Sequence, residues 1–291
     1  MSFHEATLPI NLNDGLSMNA AEARALGELL AEDYQCADPF PHIVIDGVLP
    51  LQLIDNLKAN FPVERLASDH VFEIGYAGHF KRQVMPEDCN GYARAFFHFM
   101  NSRPVLQFLE GLTGIEALLP DPYFSGGGFH ETTRGGKLGV HADFRINDQL
   151  HVQRRLNLLI YLNETWNDEW KGQLELWDKT MSECRARVSP VWNRCVVFST
   201  DADTWHGHPD ELQTPVGVTR RSIALYYYTA SRNVYNEVPN LSTIYQARPE
   251  DAKSIKREAR RLKADEYFRD WAPPVLVRFV HRVGRVLRRL G

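Results

Sequence analysis

The sequence predicts a mainly β protein, a β sandwich or barrel with supporting helices before it and a basic helical tail after it. Three observations predict this. From Phe124 onward, short strand-like runs are separated by turn residues, not by helical patterns, which argues against βαβ units. Before that point, apolar residues recur mostly at helical spacing. After Asn233 the pattern is helical again and crowded with Lys and Arg. These textures divide the chain into segments 1–120, 121–232 and 233–291.

The elements follow in order. Asn19 to Asp33 reads as a helix: Asn19 can cap it, Glu22 sits in capping-box position, and Ala23, Leu26, Leu29 and Leu30 form a stripe. Pro39-Phe40-Pro41-His42 breaks the chain, Ile43-Val44-Ile45 is a short strand, and Asp46-Gly47 turns. Leu51 to Phe61 is helical, with Leu53, Leu57 and Phe61 on one side. Helices return at Tyr92–Met100 and Pro104–Leu112, the second ended by Gly114. Gly126-Gly127-Gly128 and Arg134-Gly135-Gly136 punctuate the start of the β region. Strands are expected at Gly139–Phe144, Leu156–Leu162, Gln173–Trp177, Arg194–Phe198 and Arg220–Thr229.

Composition narrows the class. With 291 residues and 44% apolar side chains, the chain can bury a full core. Its net charge of −4 hides an asymmetry: residues 253–291 hold twelve Lys/Arg against four acids, so this tail is +8 and the remainder −12. No run approaches the 18 or so apolar residues of a membrane span. Met1 to Leu16 has acids and no Lys or Arg, unlike a secretory signal. Cys36, Cys89, Cys184 and Cys195 are scattered without a C-x-x-C pair, which predicts reduced thiols in a cytosolic protein, not disulfides or structural zinc.

The chemistry gathers in the β region. In His141-Ala142-Asp143, alternate strand residues share a face, so imidazole and carboxylate point the same way about 7 Å apart along the backbone. A third ligand, His206 or His208, is available from Trp205-His206-Gly207-His208-Pro209. Two histidines, one carboxylate and open coordination positions suit a non-haem Fe(II) site. In Arg220-Arg221-Ser222, Arg220 and Ser222 share a face and suit a carboxylate ligand, while Arg221 points away and is expected to pair with an acid.

With those residues in place, 124–230 resemble the Fe(II)/2-oxoglutarate dioxygenase superfamily, in its prolyl-4-hydroxylase-like branch. The order is H-x-D, a distal histidine 63 residues after Asp143, then R-x-S with Arg220 14 residues after His206. Arg155–Asn163 resembles the strand ending in Y-L-N, Gly172–Trp177 the G-x-L-x-L strand, and Pro39–Asp46 the lead-in strand of bacterial members. The resemblance implies a double-stranded β-helix (jelly roll). It implies iron ligation by His141, Asp143 and His206, the last favoured over His208 because Thr204-Trp205 precedes it. By the same resemblance Arg220 would clamp the distal carboxylate of 2-oxoglutarate with Ser222 beside it, Tyr161 would bond the same carboxylate, and Asn157 and Leu159 would line the pocket. The co-reactants implied are Fe(II), 2-oxoglutarate and O₂, with ascorbate as an optional reductant. The reaction implied is hydroxylation of a C–H bond with release of succinate and CO₂, and the presence of Asp143 disfavours halogenation.

The tail carries the remaining expectation. Beyond Pro273-Pro274, Leu276, Phe279, Val280, Val283, Val286, Leu287 and Leu290 keep helical spacing beside a stripe of Arg278, Arg282, Arg285 and Arg289. Residues 273–291 are therefore expected to lie on an anionic membrane surface, not on nucleic acid; docking on the acidic body or an oligomer seam are the alternatives. Such a tail on a soluble dioxygenase resembles the Kdo 3-hydroxylase group, which modifies a sugar of lipid A precursors at the cytoplasmic face of the inner membrane. A lipid-linked Kdo sugar is accordingly the favoured substrate, a peptidyl prolyl (or other residue) hydroxylase the alternative, and a non-catalytic membrane-tethered binding protein the third reading. Trp205, His130 and Arg145 are candidates for substrate contact. The sequence does not fix an oligomeric state.

Overall fold

In a computed structural model of the chain, residues 3–72, 76–230 and 242–271 are described. The amphipathic stretch 273–291, and the membrane contact expected of it, lie outside them. Among the described residues no helix is long and apolar enough to cross a membrane. The strands are Phe3–Glu5 (β1), His42–Asp46 (β2), His70–Phe72 (β3), His79–Val84 (β4), Leu119–Pro120 (β5), Gly128–Ala142 (β6), Ile146–Asn147 (β7), Val152–Tyr161 (β8), Leu174–Trp177 (β9), Cys184–Val188 (β10), Arg194–Ser199 (β11), His206–His208 (β12), Arg220–Ala230 (β13) and Ile244–Tyr245 (β14). The helices are Ala20–Leu29 (α1), Ala31–Gln35 (α2), Leu51–Ala59 (α3), Gly91–Met100 (α4), Arg103–Thr113 (α5) and Lys253–Trp271 (α6).

The strands run in the order β1-β2-β11-β8-β13-β6-β12-β9-β10, with β4 also on β6 and β14 beside His141 and Ala142. The long strand β6 makes this one sheet into two layers. Its first half pairs with β13 and β4, its second half with β12 and β14. The change of partners falls at Arg134-Gly135-Gly136, where the register with β4 slips and Gly135 adopts φ +77°. A positive φ suits glycine, and an irregularity of this kind re-aims a strand. These glycines therefore lie within a strand instead of separating strands. The result is the double-stranded β-helix.

Strand alternation assigns the two faces. Leu156, Leu158 and Ile160 on β8, with Ile223, Leu225 and Tyr227 on β13, pack outward against Phe96, Phe97, Leu109 and Leu112 of the helices. Each large apolar side chain fully buried there stabilises the fold by roughly 1.5–3 kcal/mol. Their sequence neighbours Asn157, Leu159, Tyr161, Ser222 and Ala224 face the space between the layers, where Leu174, Leu176, Val196 and Phe198 also meet.

Several sequence expectations need correcting. The first helix is two helices, broken at Leu30, although the Asn19 cap stands: its Oδ1 accepts from the amides of Ala21 and Glu22. Leu29 is 80% exposed, while Ala23, Leu26 and Leu30 of the expected stripe pack on the core together with Gly27. At Gly27 any Cβ would stand 2.2 Å from the carbonyl oxygen of Phe108, so glycine lets α1 approach α5 more closely than a leucine stripe would. The β3–β4 hairpin, the strand Cys184–Val188 and the short strand His206–His208 were not expected from the sequence; the first brings residues 79–84 onto β6. All four cysteines are free.

Candidate active site

His141 is the penultimate residue of β6, Asp143 directly follows the strand, and His206 opens β12 directly opposite His141 in the pairing. The register brings the three side chains together. His141 Nε2 lies 3.5 Å from Asp143 Oδ1, and His206 Nε2 lies 3.4 Å from Asp143 Oδ2. One ligand atom from each falls within 4.8 Å of the others, and all three residues are buried. The group could hold a metal ion.

The surrounding hydrogen bonds aim the donors. The Nδ1–H of His141 donates to the Gly139 carbonyl (2.9 Å), and that of His206 to the Thr204 carbonyl (3.0 Å). A carbonyl can only accept, so each ring carries its proton on Nδ1 and turns an Nε2 lone pair toward the common point. Burial first, and the neighbouring His206 second, lower the proton affinity of His141. Burial alone would raise the Asp143 carboxyl. The neighbouring Arg154 guanidinium is the leading cause that overrides it, holding Asp143 ionised well below the usual carboxylate range.

Asn157 and Arg154 orient that carboxylate. Asn157 Nδ2 donates to Asp143 Oδ2 at 2.7 Å, and Arg154 Nη2 lies 3.1 Å from the same oxygen. The Arg154 guanidinium also donates twice to Asn157 Oδ1 (2.9 and 2.6 Å) and lies over the Tyr226 ring. Asn157 thus braces the Asp143 carboxylate from behind while lining the cavity. Arg154 is a residue the sequence reading missed. Simple alternation along β8 puts it with Leu156 on the helix side, but the β8–β13 register shifts between Tyr227 and Tyr228, beside it.

Arg220 stands in the same cavity on β13. Its Nε donates to the Gly172 carbonyl (2.8 Å) and its Nη2 to Tyr161 Oη (3.3 Å). It is 5% exposed, and among the described residues no carboxylate pairs with it. Burial lowers the proton affinity of the guanidinium, partly offset by Tyr161. A buried cation without a counter-ion is costly unless a ligand supplies one. Ser222 and Leu159 line the cavity nearby. Arg221 faces the other way and pairs with Glu131 at 2.9 Å, as alternation requires.

The structure separates the two histidines of β12. His206 joins His141 and Asp143, while His208 lies one strand repeat farther on and lines the cavity with Arg220 and Lys81. Among the described residues neither buried ring nitrogen of His208 has a hydrogen-bond partner, and burial keeps the imidazole neutral. Of the substrate-contact candidates, His130 lines the cavity, but Trp205 and Arg145 do not. Trp205 packs with Val140 and Trp177 and donates to the Lys179 carbonyl, and Arg145 pairs with Asp201 at 2.7 Å. The residues present fit a divalent ion beside an acidic ligand: two nitrogen donors and one oxygen donor converge on one point, and among the described residues the buried guanidinium in the same cavity has no counter-ion.

Residues 127–228 match the family model described as the 2OG-Fe(II) oxygenase superfamily. No curated protein sequence matches the chain significantly. Among solved structures, the chain is similar to a prolyl-4-hydroxylase from Pseudomonas putida, at 19% identity and TM-score 0.49, over 70% of this chain and 100% of that one. It is similar to a prolyl hydroxylase from Trichoplax adhaerens in complex with a peptide of the hypoxia inducible factor oxygen degradation domain, at 17% identity and TM-score 0.48, over 72% and 91% of the two chains. HygX from Streptomyces hygroscopicus, with nickel, 2-oxoglutarate and hygromycin B bound, is similar at 12% identity and TM-score 0.44, over 65% and 83%. The chain thus carries a 2OG-Fe(II) oxygenase domain. Such a domain, with the His141–Asp143–His206 group in place, supports a dioxygenase enzyme that uses Fe(II) and 2-oxoglutarate.

Proposed function

We propose that the protein hydroxylates a substrate C–H bond, consuming 2-oxoglutarate and O₂ and releasing succinate and CO₂. One oxygen atom goes to the succinate and the other to the new hydroxyl, so the reaction balances. The observation that carries this reading is one cavity holding both the His141–Asp143–His206 group and the unpaired guanidinium of Arg220. His141, Asp143 and His206 would hold Fe(II), which when bound supplies oxygen activation coupled to loss of CO₂ from the oxo acid. Asn157 and Arg154 keep the Asp143 carboxylate turned toward the two imidazoles. Arg220 and Tyr161 receive the distal carboxylate of 2-oxoglutarate, with Ser222 beside them. Leu159, Leu174 and Phe198 form the apolar part of the wall and keep water from the reacting centre.

The proposed substrate is an acidic sugar of the Kdo type on a lipid A precursor at the inner membrane. The cationic cavity wall supports an acidic group, and the membrane part rests on the sequence of residues 273–291 alone. A prolyl residue in a peptide is the second reading. Succinate release screened against Kdo-containing lipid, free sugars and proline peptides separates them.

The test of the reaction class is anaerobic addition of Fe(II) and then 2-oxoglutarate. A visible metal-to-ligand charge-transfer band is expected, with succinate formed once air is admitted. His141→Ala and Asp143→Ala are each expected to abolish the band. No band and no succinate from the wild-type protein would overturn the reading.

A further inference from the structure

Among the described residues, the cavity holds more positive charge than its own acid and the co-reactants balance. Three cationic side chains among those residues line it (Lys81, Arg154 and Arg220), against a single acid, Asp143. Asp143 is matched by Arg154. A divalent iron ion and the dianion of 2-oxoglutarate cancel each other. Two positive charges are left over whichever cation the oxo acid touches, and a partly enclosed cavity tolerates such a surplus poorly.

Lys81 is the cation without an assigned role. It sits on β4, in register with Thr132 of β6, which is in turn in register with Arg220 of β13. Alternation therefore turns Lys81 and Arg220 to the same face. Among the described residues the ammonium makes no ion pair or hydrogen bond, and its partner is the Phe72 ring at 5.3 Å. From the opposite layer, His208 presents a buried imidazole with no partner at either nitrogen among the described residues and one N–H to donate.

We propose that Lys81, with His208 across the cavity, forms a second anion subsite, which receives a carboxylate, sulfate or phosphate group of the substrate. The substrate class is then anionic, and neutral molecules of the same shape are rejected. This rests on the dioxygenase reading above, because 2-oxoglutarate must occupy Arg220 for Lys81 to be left over. Burial first and the repulsion of Arg220 second bring the Lys81 pKa down to about 8, as expected of an ammonium lacking a counter-ion.

The test uses the full chain loaded with Mn(II) under nitrogen, with sulfate as the probe anion. Lys81 is labelled with trace acetic anhydride and read by mass spectrometry. With 2-oxoglutarate saturating, millimolar sulfate is expected to slow labelling of Lys81 by about tenfold, the effect of one charge-assisted contact. Lys81→Gln is expected to leave 2-oxoglutarate affinity within about threefold of wild type and remove sulfate binding, and Lys81→Arg to restore it. Unchanged labelling in sulfate would overturn the subsite. So would full protection by 2-oxoglutarate alone together with a tenfold or greater loss of its affinity in Lys81→Gln, since Lys81 would then serve the co-substrate. Absence of any Mn(II)-dependent binding of 2-oxoglutarate by wild type would instead overturn the dioxygenase reading beneath it. The labelling arm needs no variant, so it stands even if Lys81→Gln fails to fold.

Discussion

Strands β4, β6 and β13 carry two rows of charged and polar side chains, one residue apart and on opposite faces. The outward row is Arg82, Glu131 and Arg221, and the inward row is Lys81, Thr132 and Arg220. In the outward row every charge is matched. Arg82 Nε lies 2.7 Å from Glu131, its Nη1 lies 3.1 Å from Asp69, and Arg221 Nε lies 2.9 Å from the other Glu131 oxygen. Thr219 donates to Glu131 as well, and both guanidinia lie over the Phe61 ring. In the inward row, Lys81 and Arg220 have no acid partner among the described residues. The residue types are alike; what differs is whether the chain supplies the counter-ion. A satisfied cation holds the fold together, and an unsatisfied one faces the place where a ligand belongs.

Breaking the outward row is expected to give the largest effect on stability. Glu131→Gln takes the shared carboxylate from the buried Arg82 and the half-buried Arg221, both over Phe61, and removing one partner of a buried ion pair costs about 3–5 kcal/mol. Urea unfolding should show this loss, while 2-oxoglutarate binding per folded molecule stays unchanged. If that variant unfolds normally but loses 2-oxoglutarate, the two rows are not separate in function. Breaking the inward row should do the reverse. Arg220→Gln removes a buried, unpaired charge, so stability is held or raised. Its 2-oxoglutarate affinity should fall about 10- to 100-fold, the worth of a charged hydrogen bond, with Fe(II) still bound. Ligand stabilisation sharpens the contrast. Saturation to about a hundred times Kd adds about 2.7 kcal/mol to the unfolding free energy of the metal-loaded wild type. At the same ligand concentration Arg220→Gln should gain far less, and equal gains in both proteins would break the comparison.

Alternation is also why much of the inward row was legible in sequence. Arg220 against Arg221, and Tyr161 against Ile160, follow from period two alone, as does the common face of His141 and Asp143. What period two cannot supply is a register between distant strands or a break in the period. Arg154 was lost at the register shift between Tyr227 and Tyr228. Lys81 was lost because the β3–β4 hairpin has no strong apolar alternation: its His-Phe-Lys-Arg-Gln-Val run takes its strand character from pairing with β6. Within the stripe on α1 only Leu29 failed: Ala23, Leu26 and Leu30 pack on the core, and the close approach at Gly27 centres the contact away from Leu29. His208 was visible as a residue but not as a role, because the choice between two nearby histidines depends on where β12 meets β6.

The smallest predicted effect concerns acid. Burial alone would raise the Glu131 carboxyl, but hydrogen bonds from Thr219 and Arg221 and the charge of Arg82 hold it below the ordinary carboxylate value. A carboxyl depressed in the folded state binds fewer protons there than in the unfolded chain. Its stabilisation is therefore fully present above the unfolded value of about 4.3 and is lost as pH falls through the depressed folded value. Other carboxylates titrate in the same window, so the informative quantity is the difference in unfolding free energy between wild type and Glu131→Gln. Protonated Glu131 is neutral like glutamine, so the gap seen at pH 7 should narrow steadily below about pH 4.3. Urea midpoints taken from pH 6 to pH 3 would measure it. A gap that stays constant across that range would mean that the charge of Glu131 contributes little and that its shape alone holds Arg82 and Arg221. The outward row would then owe its stability to packing against Phe61, and the contrast with the inward row would be one of enclosure, not of matched charge.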